Sequence, residues 1–172
     1  GENRFEIEKP TFDSLSTRLQ YTPSRAWALQ TSYAFLKSPE ALHPEEDAHR
    51  LSLSAIYNRP LSATRNFQTT VLWGQNAVEG LDLDSYLVEA QLKQDGRWTP
   101  YLRYEYIRKN AEELVLSPPF PDDRVFKLQQ ATIGISRDLP IRGEYQWGVG
   151  AQWTVSFTPE ALEPFYGHNP TG

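Results

Sequence analysis

The sequence predicts an all-β fold: an antiparallel up-and-down meander of about eight long strands forming a transmembrane-type β-barrel or part of one. Three observations lead there. Polar and apolar residues alternate with a period of two over most of the chain, which places one set on each face of a strand. The alternating segments run to about 9–12 residues, whereas a globular strand usually has about 5–6 and a tilted membrane-crossing strand about 9–11. Short connections alternate with longer, acidic ones.

The first strand is expected at 14–22, with Leu15, Thr17, Leu19 and Tyr21 on one face and Ser16, Arg18 and Gln20 on the other. The second, 26–36, sets Trp27, Leu29, Thr31, Tyr33 and Phe35 against Ala28, Gln30, Ser32 and Ala34. The third, 48–58, sets Leu51, Leu53, Ala55 and Tyr57 against Arg50, Ser52, Ser54 and Asn58. In the fourth, 67–76, Phe67, Thr69, Val71 and Trp73 oppose Gln68, Thr70 and Gly74. In the fifth, 85–94, Tyr86, Val88, Ala90 and Leu92 oppose Ser85, Glu89, Gln91 and Lys93. In the sixth, 98–109, Trp98, Leu102, Tyr104 and Tyr106 oppose Thr99, Arg103 and Glu105. The seventh, 124–137, alternates clearly only from Ala131 to Ser136, and a bulge is expected between Val125 and Gln130. The eighth, 144–157, is the most regular, with Trp147, Val149, Ala151, Trp153, Val155 and Phe157 against Gln146, Gly148, Gly150, Gln152, Thr154 and Ser156. Helical turns are expected only in loops, where Pro39-Glu40-Ala41-Leu42 and Pro159-Glu160-Ala161-Leu162 repeat after a strand ending in Phe35 or Phe157.

Short turns fall near 23–25, 59–66, 94–97 and 138–143, marked by Pro-Ser, Asp-Gly and Arg-Gly. Long connections fall at 38–47, 77–84 and 110–123, and a fourth long segment follows Phe157. The long segments carry Glu40, Glu45, Glu46, Asp47, Glu79, Asp82, Asp84, Glu112, Glu113, Asp122, Asp123, Glu160 and Glu163, with no Lys or Arg. The short-turn side carries Arg25, Arg59, Arg65, Arg97, Arg137 and Arg142. Solvated loops are commonly acidic, but a soluble domain rarely sorts its charges between two ends in this way.

Alternation alone leaves open which face points inward. Aromatic residues gather toward strand ends. Tyr21, Trp27, Tyr57, Phe67, Trp98 and Trp147 lie near the short turns. Tyr33, Phe35, Trp73, Tyr86, Tyr104, Tyr106, Trp153 and Phe157 lie toward the long loops. Two belts flanking an aliphatic band match two membrane interfaces. The core of a small soluble barrel does not easily hold so many rings with their polar edges satisfied. A hairpin about Asp95-Gly96-Arg97 sets Glu89 opposite Arg103, Val88 opposite Tyr104 and Ala90 opposite Leu102. Arg18, Arg50, Glu89, Arg103 and Glu105 are therefore the candidate pore-lining residues.

The chain from about 14 to 157 resembles a bacterial outer-membrane β-barrel protein, porin-like in pattern. It looks most like uncharacterised barrels with a strand such as 14–22 and a closing Tyr166-Gly167-His168-Asn169-Pro170 loop. The resemblance implies a Gram-negative outer-membrane location, contact with membrane lipids and passage of small ions or solutes. It also implies one further strand ending in an aromatic residue, so a fragment lacking the last strand is expected.

Composition agrees with part of this picture. The 172 residues suffice for one domain, here 1–172, with 13% aromatic residues, no Cys and no Met. No thiolate site, disulfide or cysteine nucleophile is available. The absent Met marks a processed or excised chain. A net charge of −5 argues against nucleic acid as a partner. The mean hydropathy of −0.59 superficially suggests a soluble protein, although a strand with one polar face and acidic loops lowers it equally.

Catalytic signals are weak, and neither an enzyme nor a cofactor is expected. His43-Pro44-Glu45-Glu46-Asp47-Ala48-His49 is dense in possible cation ligands but lacks a recognised spacing, so it reads as an acidic loop. His49 and Ser52 have opposite parity and cannot form an acyl-transfer pair. Glu45/Glu46 and Glu112/Glu113 are sequence neighbours in loops, not a shaped cleft. Leu114 to Pro121, Leu-Val-Leu-Ser-Pro-Pro-Phe-Pro, is either a constriction at a mouth or, preferably, a loop packing its own apolar residues. The leading expectation is a passive channel with an acidic outer mouth and weak cation preference. The alternatives are a membrane barrel without transport, acting as an anchor or surface-interaction protein, and a soluble ligand-binding barrel with its aromatic face inside.

Overall fold

A computed structural model describes residues 13–38, 45–78, 80–140 and 144–172. The strands are β1 (Leu15–Ser24), β2 (Trp27–Leu36), β3 (Ala48–Pro60), β4 (Asn66–Val78), β5 (Leu81–Lys93), β6 (Trp98–Asn110), β7 (Val125–Asp138) and β8 (Gly148–Phe157). Every end lies within four residues of the sequence expectation. Each strand pairs antiparallel with its sequence neighbours, giving one eight-stranded sheet in the order β1 to β8. Among the described residues no ladder joins β1 to β8.

The hairpin expected about Asp95-Gly96-Arg97 forms in the expected register, with Glu89↔Arg103, Val88↔Tyr104 and Ala90↔Leu102. Asp95 and Gly96 take φ of 50° and 64°, the left-handed pair that lets a tight turn follow the twist of its strands. Two expectations need correction. The bulge foreseen between Val125 and Gln130 is absent, since β6 and β7 hold one register from Asn110↔Val125 to Trp98↔Arg137. The register shift lies instead between Tyr21 and Ser24 in β1. The long connection expected at 77–84 is mostly strand, because Val78 pairs with Leu81 and the ladder runs unbroken from there. Conversely β8 begins at Gly148 rather than 144, and the connection before it, 139–147, is the longest on the short-turn side. The 39–42 repeat lies outside the described residues. Its counterpart forms a 3-10 turn at Glu160–Leu162 that runs into a one-turn helix, Glu163–Tyr166.

The two faces differ as the alternation requires, and the apolar one is exposed. Leu15 is 71% exposed, and Tyr21, Ile133 and Trp153 are above one half, while Leu51, Tyr57, Phe67, Trp73 and Tyr106 are half-buried. The polar face is concave. Its side chains bridge strands that are not neighbours: Lys93 Nζ on β5 meets Asp138 Oδ2 on β7 at 3.0 Å, and Tyr101 Oη on β6 donates to Gln152 Oε1 on β8 at 2.7 Å. Aromatic contacts group at the strand ends on the convex face. Trp27, Tyr57 and Phe67 form a run near the short turns, with centroids 4.8 and 6.5 Å apart. Tyr86 and Tyr106 meet at 5.9 Å toward the long loops, and Phe35 meets His49 at 5.2 Å. Trp153 stands mid-strand opposite Ile133 rather than in a belt, while Tyr104 reaches toward the long-loop end by donating to Gln129 Oε1 at 2.7 Å.

Toward the long loops the polarity of the faces inverts on β5 to β7, whereas Arg50 of β3 and Asn76 of β4 keep the concave face polar there. On the convex face Tyr86 and Tyr106 are followed by Asp84 and Arg108, which lie just past the last β5–β6 register pair, Ser85↔Ile107, and pair at 3.5 Å. Trp73 Nε1 donates to Asp84 Oδ1 at 3.1 Å. On the concave face the same strand ends supply Leu83, Ile107, Phe126 and Leu128, and Leu83 and Phe126 are each 4% exposed. Beyond the band β5 to β7 therefore behave as a water-exposed sheet with an apolar inner side.

That inner side is covered by a cap built from 111–124 and from the chain after β8. Ala111, Leu116, Phe126 and Leu162 form a buried cluster, with Leu114, Phe120, Leu128 and Ala161 packed against it. Phe120 meets Phe126 edge-on at 5.0 Å. The buried Asn110 accepts from Glu113 N at 3.1 Å and fixes the first turn of the loop. The Leu114–Pro121 segment thus packs its own apolar residues, as preferred from sequence, with Leu162 as a partner that the sequence did not reveal. After the helix the chain returns to β8. Thr154 and Gly172 exchange backbone hydrogen bonds at 2.8 and 3.1 Å, and Ser156 N donates to Pro170 O at 3.0 Å, along the edge of β8 away from β7.

Candidate functional site

The concave face is built by direct cross-strand pairs of small and polar side chains. Ser32 and Ser52 hydroxyls lie 2.6 Å apart, Gln91 donates to Gln68 at 2.7 Å, and Thr132 and Thr154 hydroxyls lie 2.9 Å apart. Each pair joins residues that are exact register partners, so these side chains satisfy one another across the ladder.

All five candidate pore-lining residues stand on this face, in two groups. Glu89, Arg103 and Glu105 come together. Arg103 Nη2 donates to Glu105 Oε1 at 2.7 Å, and its Nη1 lies 3.9 Å from Glu89 Oε2. This guanidinium thus bridges β5 and β6 as the sequence register required, and also binds an acid two residues along its own strand. The local sum is one cation against two carboxylates. The three residues line a hollow of about 790 Å³ together with Tyr101, Gln152 and Thr171.

Arg18 and Arg50 lie apart from that triad. They line a separate hollow of about 540 Å³ with Ser16, Ser32 and Ser52. Arg50 Nε donates to Asn76 Oδ1 at 3.2 Å. The sequence placed all five on one face but not in two clusters, since separation across strands depends on sheet curvature.

Sequence reasoning missed a third cavity, beneath the cap at the polarity inversion. It measures about 330 Å³ and is lined mainly by apolar side chains, among them Ile107, Leu114, Leu128 and Leu162, with Glu105 and Gln130 at its polar side. The signal was present as Ile107-Arg108 and Phe126-Lys127-Leu128, where the alternation continues with its polarity reversed.

The acidic loop considered for a cation resolves into local contacts where it is described. Asp47 Oδ1 accepts from Ser38 N at 3.2 Å, and its other oxygen lies 3.6 Å from Lys37 Nζ. His49 Nδ1 lies 2.8 Å from Tyr33 Oη on the convex face, while Ser52 stands on the concave one. His43 lies outside the described residues, and among the described residues no group of three His or acidic side chains is placed to hold a metal ion. The remaining histidine, His168, lies 2.6 Å from Glu163 in the segment after β8. No family model, no curated protein and no solved structure matches this chain.

Proposed function

We propose that this sheet is the wall of a bacterial outer-membrane β-barrel, porin-like, with its convex face against lipid and its concave face lining an aqueous lumen. The observation that carries the reading is the limited height of the exposed apolar band. Aromatic side chains flank it, and beyond Tyr86 and Tyr106 the polarity of both faces reverses on β5 to β7. In water, an uncovered surface of that size would be a liability to association. In a bilayer it is the lipid contact, and the reversal marks where the strands leave the hydrocarbon. A sheet in lipid leaves no edge open, so the reading includes strand pairing that completes β1 and β8.

The function that follows is passive conduction of small ions or solutes past Arg18, Arg50, Glu89, Arg103 and Glu105. The acidic long loops enrich cations at the outer mouth and give weak cation preference. A second reading, a barrel that does not transport and serves as an anchor or surface-interaction protein, is favoured by the cap, whose buried cluster lies over the end of β6 and β7.

Two measurements test this. The full chain is expected to acquire β-type circular dichroism and a heat-dependent gel shift only with detergent or lipid; a folded, detergent-free monomer overturns the membrane reading. Planar bilayers separate the two functions: stepwise conductance with cation-biased reversal potentials supports the channel, and a silent, folded barrel supports the second reading.

A further inference from the structure

We propose that the cavity beneath the cap binds a small amphiphile, an alkyl or aryl chain carrying a primary ammonium group. The cavity holds about 330 Å³, roughly twice the ~150 Å³ at which a dry apolar cavity accepts benzene. Its walls are apolar over most of their extent, from Ile107 and Leu128 on the strands to Leu114 and Leu162 in the cap. Water gains few partners there, whereas an apolar chain that displaces it buries its own surface favourably.

Polar side chains also line it, and of these Glu105 is the one that carries a charge. Glu105, Gln130 and Ser156 border both this cavity and the larger charged hollow. Gln130 Nε2 is already engaged with Ser156 Oγ at 3.1 Å. Glu105 shares the guanidinium of Arg103 with Glu89, so the trio has one uncompensated negative charge. A ligand whose chain fills the cavity places its head beside Glu105, where an ammonium completes the charge balance and a carboxylate opposes it. The cap segments 111–124 and 158–172 carry Glu112, Glu113, Asp122, Asp123, Glu160 and Glu163 against Arg124, with Lys109 paired to Glu113 at 3.0 Å, and the remaining acidic excess raises the local concentration of cations at this end.

The site lies inside the barrel proposed above and therefore rests on that reading, but its test does not use conduction. Full-length chain folded in maltoside micelles is titrated calorimetrically with hexylammonium, hexanoate and hexanol. Hexylammonium is expected to bind about tenfold or more tightly than hexanoate. Glu105→Gln is expected to remove that preference while leaving hexanol binding in place. Leu128→Trp, which fills the cavity, is expected to abolish binding of hexylammonium and hexanol alike. Circular dichroism verifies that each variant is folded, and either variant alone is sufficient to decide. Equal affinity for hexanoate, or hexylammonium binding that neither substitution alters, overturns the proposal, the latter being simple partition into micelles. Ammonium binding by a chain that is silent in bilayers retains the site and removes the channel. Conduction without ammonium binding does the reverse.

Discussion

The ring and hydroxyl of Tyr101 occupy the space in which a side chain at Gly134 would stand. The two are register partners on β6 and β7, and a methyl group at Gly134 would overlap the ring. Tyr101 lies over this gap and donates to Gln152, the partner of Gly134 on the far side. One side chain thus ties three strands together across the concave face.

Gly134→Ala is therefore expected to displace Tyr101 and break its bond to Gln152, at a cost of about 1–3 kcal/mol in folding stability. Tyr101→Ala alone also destabilises. The double variant should lose less than the sum of the two, because the alanine ring conflict is gone. Equilibrium unfolding in micelles, run as a double-mutant cycle, measures this; additive losses contradict the packing described.

A charge placed on the convex band should cost far more than one on the concave face. Val88 lies in mid-strand between Val71 and Tyr104. In lipid Val88→Arg is expected to destabilise by about 2–4 kcal/mol. On a water-exposed surface the same change would stay within about 0.5 kcal/mol. Gln91→Arg, on the opposite face, should cost about 1 kcal/mol through loss of its bond to Gln68. Unfolding of the lipid-folded chain in urea distinguishes these outcomes.

Truncating the cap should loosen it without melting the sheet. Leu162 is fully buried against Ala111, Leu116 and Phe126. Leu162→Ala is expected to cost about 2–5 kcal/mol of local stability. Hydrogen exchange should rise in 111–124 and 160–166 while amides of β3 to β5 stay protected, and a uniform loss of protection would show that the cap and the sheet unfold as one unit.

Selectivity should follow the charges on the concave face. Replacing Glu89 and Glu105 together by Gln is expected to move the reversal potential toward anions, and Arg103→Gln to move it toward cations. The two shifts should shrink as salt rises, since exposed charges are screened. Reversal potentials in asymmetric KCl measure both signs, and a shift of the same sign from both variants would exclude these residues from the conduction path.

Strand positions were legible because a two-residue period is a local property: the order Leu15-Ser16-Thr17-Arg18 fixes two faces with no knowledge of partners. The β5–β6 register was legible because Asp95-Gly96 fixes the turn and the opposite charges of Glu89 and Arg103 agree with it. Less was legible where polarity reverses. Asp82 and Asp84 resembled a loop, yet they are strand residues whose side chains face out beyond the aromatic belt, and Phe126 and Leu128 suggested a bulge when only their surroundings had changed. The cap was not legible, since Leu162 meets Leu116 through a contact between distant segments that no period records. The grouping of Glu89, Arg103 and Glu105 apart from Arg18 and Arg50 likewise depends on curvature, which parity does not encode.

The unbroken β1-to-β8 order has a kinetic consequence. Every ladder joins strands adjacent in sequence, so each hairpin closes only its own connection and the loop entropy at each step is small. The sheet can therefore zip from any hairpin outward, one strand at a time. Among the described residues the edge of β1 away from β2 pairs with no strand. Until a strand docks there, its open row of backbone groups is the place where a stalled intermediate would recruit the wrong chain.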